Sequence, residues 1–153
     1  MPRQRLNAGD LFEISVGTEW VATGQVLEAI PQALNSVGIA LWKPRRADSK
    51  AGSAPSDAPF SILLVTPELL KKGEWRILNS AMISIPTHAR PYEAFRAARW
   101  VGAKVVGAGI VEEFLQAAVG LCPWDDWADP LYLDSLLAPG QLRPSSVVLK
   151  HAS

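Results

Sequence analysis

Three carboxylates fall within five residues, Asp125, Asp126 and Asp129, and Trp124 and Trp127 bracket the first two. Carboxylates this close can divide into an acid and a base, or hold a hard cation through oxygen ligands. Asp129 has a simpler reading, because Asp followed by Pro130 is a helix start with the carboxylate as its N-cap. Asp125 and Asp126 are then neighbours expected to point apart, and the cluster reads as structure rather than catalysis or metal binding. Nucleophilic hydrolysis needs a base beside its nucleophile, and only His88, in a Pro-bounded polar stretch, and His151 are available. Two isolated His and the lone Cys122 offer no pair at metal-ligand spacing, and Cys122 reads as a small core residue. Gly107-Ala108-Gly109 resembles a phosphate-cradling turn, but it lacks the third Gly and the Lys-Ser/Thr pair, so it reads as a helix entry. No catalytic, cofactor or metal residue is assigned, and the expectation is a protein that is not an enzyme.

Binding remains. Between residues 105 and 142 stand Glu112, Glu113, Asp125, Asp126, Asp129 and Asp134 without one Lys or Arg, whereas residues 71–104 carry a basic excess. The last third is therefore a candidate acidic face. Six Trp is a high count, and Trp serves both cores and interface hot spots. Trp75, at strand alternation, reads as core, while Trp20 and Trp42 are candidates for half-exposed positions. Trp124 and Trp127, set among acids, are the most interface-like pair. The candidate partner-binding set is Trp124, Asp125, Asp126, Trp127, Glu112 and Glu113, with packing between the final helices as the alternative for the two Trp.

These residues have to be positioned by a fold that the periodicities outline. Residues 10–16 alternate as a strand with Phe12, Ile14 and Val16 on one side, Gly17-Thr18 suits a two-residue turn, and residues 19–27 return antiparallel. Gly24 in that second strand marks a bulge or a close backbone approach. Residues 37–42 form a third strand. Residues 43–59, with three Pro and no apolar period, read as a mobile loop. The apolar run 60–65 suits a strand buried on both faces. Thr66-Pro67-Glu68 opens a short helix that Gly73 stops, and residues 74–78 resume as a strand. Residues 92–100 allow a short helix and 101–106 a strand. Residues 110–121 give an amphipathic helix with Ile110, Phe114, Ala117, Ala118 and Leu121 inward, and Asp129 opens a last one. Strands first and helices later imply an α+β fold: a strongly bent antiparallel sheet or a partly open small β-barrel, with helices at the C-terminal end.

A chain of 153 residues suits one domain, 1–153, able to bury a core without metals or disulfides. Hydrophobic residues at 48% and charged residues at 20% exclude a disordered chain. Apolar runs are far shorter than the roughly 20 residues of a bilayer crossing, and no signal-peptide pattern follows the basic opening, so a soluble, cytoplasmic protein with no membrane partner is expected. Zero net charge argues against general affinity for nucleic acid. The oligomeric state is not legible.

Two blocks carry a resemblance. Ala8-Gly9-Asp10-Leu11-Phe12-Glu13-Ile14, followed by Trp20-Val21-Ala22-Thr23-Gly24-Gln25-Val26-Leu27, is similar to the opening of immunity protein family 26 of bacterial polymorphic toxin systems. The second block, residues 60–65 and then Lys72-Gly73-Glu74-Trp75-Arg76-Ile77-Leu78, is similar to that family's Gly-x-Trp strand. The resemblance spans residues 7–85 with an echo at 127–137, and it breaks between 86 and 121. It implies a cytoplasmic antitoxin that binds and neutralises a cognate protein toxin, and an acid-rich aromatic face would complement a cationic one. Two other readings stay open. One is a small hydrolase of the organophosphate type. The other is a small-barrel module that stacks single-stranded nucleic acid on Trp20 and Trp42, with phosphates on Lys43, Arg45 and Arg46.

Overall fold

The structure, a computed structural model, describes residues 3–48, 55 and 57–151. The fold is α+β. Strands β1 (Asp10–Val16), β2 (Trp20–Ile30), β3 (Ser36–Leu41), β4 (Arg45–Arg46), β5 (Ser61–Val65), β6 (Arg76–Ser80) and β7 (Val105–Val106) share one sheet, with helices α1 (Glu68–Lys72) and α2 (Ala108–Ala118). The sheet order is β6-β1-β2-β3-β5-β7, and β4 lies beside β2. Two expectations are corrected here. The sheet is mixed, because β7 runs parallel to β5; the long excursion through α1, β6 and residues 81–104 brings the chain back in the same direction, as a parallel pair requires. It is also open, with β6 and β7 as its two ends, so the barrel alternative falls.

Phe12, Ile14 and Val16 are buried on one face as the alternation predicts. The hairpin turn is one residue longer than expected. Val16 pairs with Trp20, which leaves Gly17, Thr18 and Glu19 in the loop, with Gly17 at φ +61°. Gly24 is a close-approach glycine. It pairs with Phe12, and a Cβ there would enter the Phe12 ring, which stacks on Trp75 with centroids 5.7 Å apart. The β2 bulge comes later, at Leu27. β3 and β5 are buried along their whole lengths: Val37, Ile39, Leu41, Leu63 and Val65 join one core, Ala40, Ile62 and Leu64 the other.

The front of the expected 43–59 loop is strand, since Arg45 and Arg46 pair with Val21 and Trp20; residues 49–54 and 56 lie outside the described residues. Helix α1 ends at Gly73, whose φ is +85°, as predicted. Thr66 does not cap α1. Its hydroxyl accepts the Ala108 N–H at the start of α2 (2.9 Å) and donates to the Glu68 carboxylate (2.8 Å). Helix α2 lies against the first core and buries Val111, Phe114, Leu115, Ala117 and Ala118.

Residues 83–105 cover the opposite face of the sheet with 3-10 turns, Thr87–Ala89 and Pro91–Phe95, in place of the expected α-helix at 92–100. The expected 101–106 strand shrinks to β7. Gly38 in β3 leaves room for the Tyr92 ring, whose hydroxyl lies 2.5 Å from where a Cβ would stand. Glu28, opposite Gly38 in β2, pairs with Arg96 at 2.7 Å and faces the buried Arg90 at 3.8 Å. Asp129 accepts the Leu131 N–H (2.9 Å) in a turn and does not open the last helix as expected, because that helix starts only at Leu133, after Tyr132. The last helix, Leu133–Leu136, is 3-10 rather than α.

Candidate functional site

The sequence-predicted contact residues scatter across several environments. Trp124 is 0% exposed and packs on Phe114 with ring centroids 5.6 Å apart, so it belongs to the core. Asp125 is buried. Its two carboxylate oxygens accept the main-chain N–H groups of Lys150 (2.6 Å) and His151 (3.0 Å). Burial alone would raise its pKa, but the main-chain donors outweigh it and hold the carboxyl below the usual aspartate range. Asp125 is therefore a clasp for residues 150–151 and not part of a contact face. Glu112 accepts the Trp75 indole N–H at 3.1 Å, which ties α2 to the segment before β6.

The acidic run also meets cations that its own window did not contain. Arg143 grips Asp134 through two bonds and depresses its pKa, and the Lys150 ammonium lies 2.9 Å from Asp126. Residues 143–150 fold back along the 105–142 segment, so the expected uniform acidic face is partly neutralised. Ser146, donating to the Ala118 carbonyl, and Val148, accepting from the Trp124 N–H, complete that return.

Glu113, Asp126 and Trp127 remain accessible. Glu113 and Asp126 are exposed, and Trp127 is half-buried against Tyr132, with centroids 4.9 Å apart. Beside the two acids lie apolar residues that sequence reasoning missed. Leu121 is 53% exposed, with its side chain beside Gly17 of the β1–β2 turn, and Val148 is 50% exposed, lies against Gly120 and bridges to Pro123. Cys122 joins them. Burial raises its thiol pKa, and the nearby charges of Glu113 and Asp126 raise it further. Leu121 was expected inward at helical spacing. Helix α2 ends at Ala118, and Gly120 at φ +81° turns the chain, so the spacing no longer applies.

The nucleic-acid alternative loses its platform. Trp42 is 4% exposed, with its indole N–H bonded to the Asp57 carbonyl. Arg45 is bonded to Glu13 at 2.7 Å, and Arg46 covers Trp20 while pairing with Glu19.

On the other face, a cavity of about 640 Å³ lies among Asp57, Pro59, Ser84, His88 and Pro139. Asp57, Ser84 and His88 share its lining, and among the described residues no hydrogen bond joins His88 to either of the others. Among the described residues no group of three or more His, Cys, Asp and Glu is placed to hold a metal ion, and no helix is long and apolar enough to cross a membrane. No family model, no curated protein and no solved structure matches this chain.

Proposed function

We propose that this chain is an immunity-type protein that acts in the cytoplasm and binds a cognate protein toxin through the surface formed by Glu113, Leu121, Asp126 and Val148. One observation carries the reading: Leu121 and Val148, two large aliphatic side chains, are each at least half exposed where the returning chain bridges Val148 to Pro123, and the carboxylates of Glu113 and of Asp126, the latter paired with Lys150, are exposed as well. Exposed aliphatic groups next to charge are the composition of a partner-binding patch, with burial of the former supplying affinity and the latter steering encounter. A toxin with a basic, partly apolar face is the complement. The two sequence blocks at residues 8–27 and 60–78 support the immunity assignment through their likeness to immunity protein family 26.

The test is retention of toxin domains encoded beside this protein, followed by titration of the best hit at low and high salt. Leu121→Glu is expected to weaken binding at least tenfold, and Asp126→Lys to slow association and flatten the salt dependence. Failure to retain any such toxin, together with hydrolysis of a phosphotriester by the purified protein, would replace this reading with the hydrolase.

A further inference from the structure

We infer that the basic cleft between residues 3–6 and helix α1 binds a small molecule bearing two or more phosphate groups. Gln4 builds the cleft. Its main-chain N–H donates to the Lys71 carbonyl (2.8 Å), its side-chain amide donates to the Leu70 and Trp75 carbonyls (both 2.8 Å), and its amide oxygen accepts the Ile77 N–H (2.9 Å). These bonds fasten an irregular segment along the end of α1. They hold Arg3 and Arg5, on either side of Gln4, at a cavity of about 310 Å³. The β2–β3 loop forms another part of its wall, where Leu34 and Asn35 take left-handed backbone at φ +55° and +54° and bring Asn35 and Ser36 to the same cavity.

Three cations, Arg3, Arg5 and Lys71, line this cavity, and no Asp or Glu lines it among the described residues. The ion pairs of the described residues all lie elsewhere, so none of the three is matched within the chain. Glu68 lines an adjoining cavity of about 270 Å³ that shares Arg3, Pro67 and Lys71, but Lys72 lines it too and offsets that charge, and Glu68 already accepts the Thr66 hydroxyl. Like charges gathered without a counter-ion disfavour the compact state, and an anion in the cleft relieves the repulsion. Ser36 points independently to a ligand. It lines the cavity at 1% exposure, and its hydroxyl has no hydrogen-bond partner among the described residues. A buried hydroxyl without a partner is costly, and a ligand oxygen would satisfy it.

Charge and geometry select phosphate. A phosphate ester carries a charge of about −1.5 to −2 at neutral pH, so two of them match the three cations, where a single carboxylate would leave the cleft positive. Guanidinium forks meet phosphate oxygens in bidentate pairs, and the Lys71 ammonium adds a point charge. The Asn35 amide and the Ser36 hydroxyl are neutral donors on the same lining. The basic patch is confined to this cleft in a chain of zero net charge, which favours a small ligand over a nucleic-acid backbone. The cleft shares no residue with the Glu113–Asp126 surface, so this site and the toxin reading stand or fall separately.

The experiment is calorimetric titration of the full chain with sodium triphosphate at physiological ionic strength, with sulfate and citrate for comparison. Expected is saturable one-to-one binding of triphosphate, with sulfate and citrate weaker by about tenfold or more. Lys71→Glu and Arg5→Glu should each weaken triphosphate binding by about tenfold or more, whereas Lys104→Glu, an equal charge change at an exposed position outside the cleft, leaves it unchanged. Ser36→Ala should keep the stability of the parent, because the hydroxyl has no partner to lose, yet bind triphosphate about threefold to tenfold more weakly. In the unaltered protein the amide resonances of Arg5, Ser36 and Lys71 should shift and saturate with triphosphate, which decides the matter should a variant fail to fold. The proposal is overturned if triphosphate binding does not saturate, if sulfate or citrate binds as well, if Lys104→Glu weakens binding as much as Lys71→Glu, or if the shifted amides lie elsewhere. It is equally overturned if triphosphate fails while phosphatidylserine vesicles or a single-stranded oligonucleotide bind, which would make the cleft part of a membrane-facing or nucleic-acid-facing surface.

Discussion

Arg143 holds Asp134 in a fork of two parallel N–H···O bonds, 2.7 and 2.8 Å long, and so fastens the returning C-terminal segment to the 3-10 turn at Leu133–Leu136. The pair is about one-third exposed, so its worth is that of a well-formed but solvent-screened ion pair. Arg143→Met is expected to cost about 1 kcal/mol in urea unfolding at pH 7. Because Arg143 holds the folded pKa of Asp134 below its unfolded value, the contribution is complete at neutral pH. It is lost as the pH falls from the ordinary aspartate value of about 4 through the depressed one. The deficit of the variant should shrink at pH 3. An equal deficit at both pH values would show that the fork is not what the substitution removed.

Asp125 clasps residues 150–151 by their main chain, which gives a local rather than a global signature. In Asp125→Ala the amides of Lys150 and His151 lose a buried acceptor, so their hydrogen exchange should accelerate strongly, while amides inside α2 keep their protection. Unchanged exchange at Lys150 and His151 would contradict the clasp.

Trp124 and Trp127 differ by only three positions yet should respond unequally. Trp124→Ala removes a fully buried indole from the Phe114 stack and should cost about 3–5 kcal/mol. Trp127→Ala, which removes a half-buried ring, should cost about 1–2 kcal/mol. Chemical denaturation of the two variants compares them directly, and comparable losses would mean that the core does not end where the structure places it.

Gly24 faces Phe12 across the hairpin with no space for a methyl group. Gly24→Ala should destabilise by about 1–3 kcal/mol through overpacking. In a Phe12→Leu background, where the ring is gone, the same substitution should cost less, and a double-mutant cycle measures the difference. Additive losses would place the clash elsewhere.

Local pattern was enough for the elements with a strict period or a fully apolar run. The alternation of β1, the continuous burial of β5, and Gly73 as the stop of α1 all follow from residues that choose their conformation within a few positions. Gly24 was legible as a close-approach glycine for the same reason. The weakest readings fell at 92–106, where turn-rich sequence has no period and folds as 3-10 turns over Gly38 and Glu28. Leu121 was misplaced because helical spacing was carried past the Gly120 turn.

The candidate site divides along the same line. Charge composition by itself marked residues 105–142 as acidic and set Trp124 and Trp127 among those acids, and this is a property of the chain. Which of those groups face solvent was decided by the tertiary fold alone. Arg143 and Lys150 reach Asp134 and Asp126 only when the chain doubles back, and Asp125 turns inward because two main-chain N–H groups from residues 150 and 151 meet it there. A carboxylate's role depends on the donors that close around it, and here they come from residues 9 to 26 positions away, beyond the reach of any local pattern.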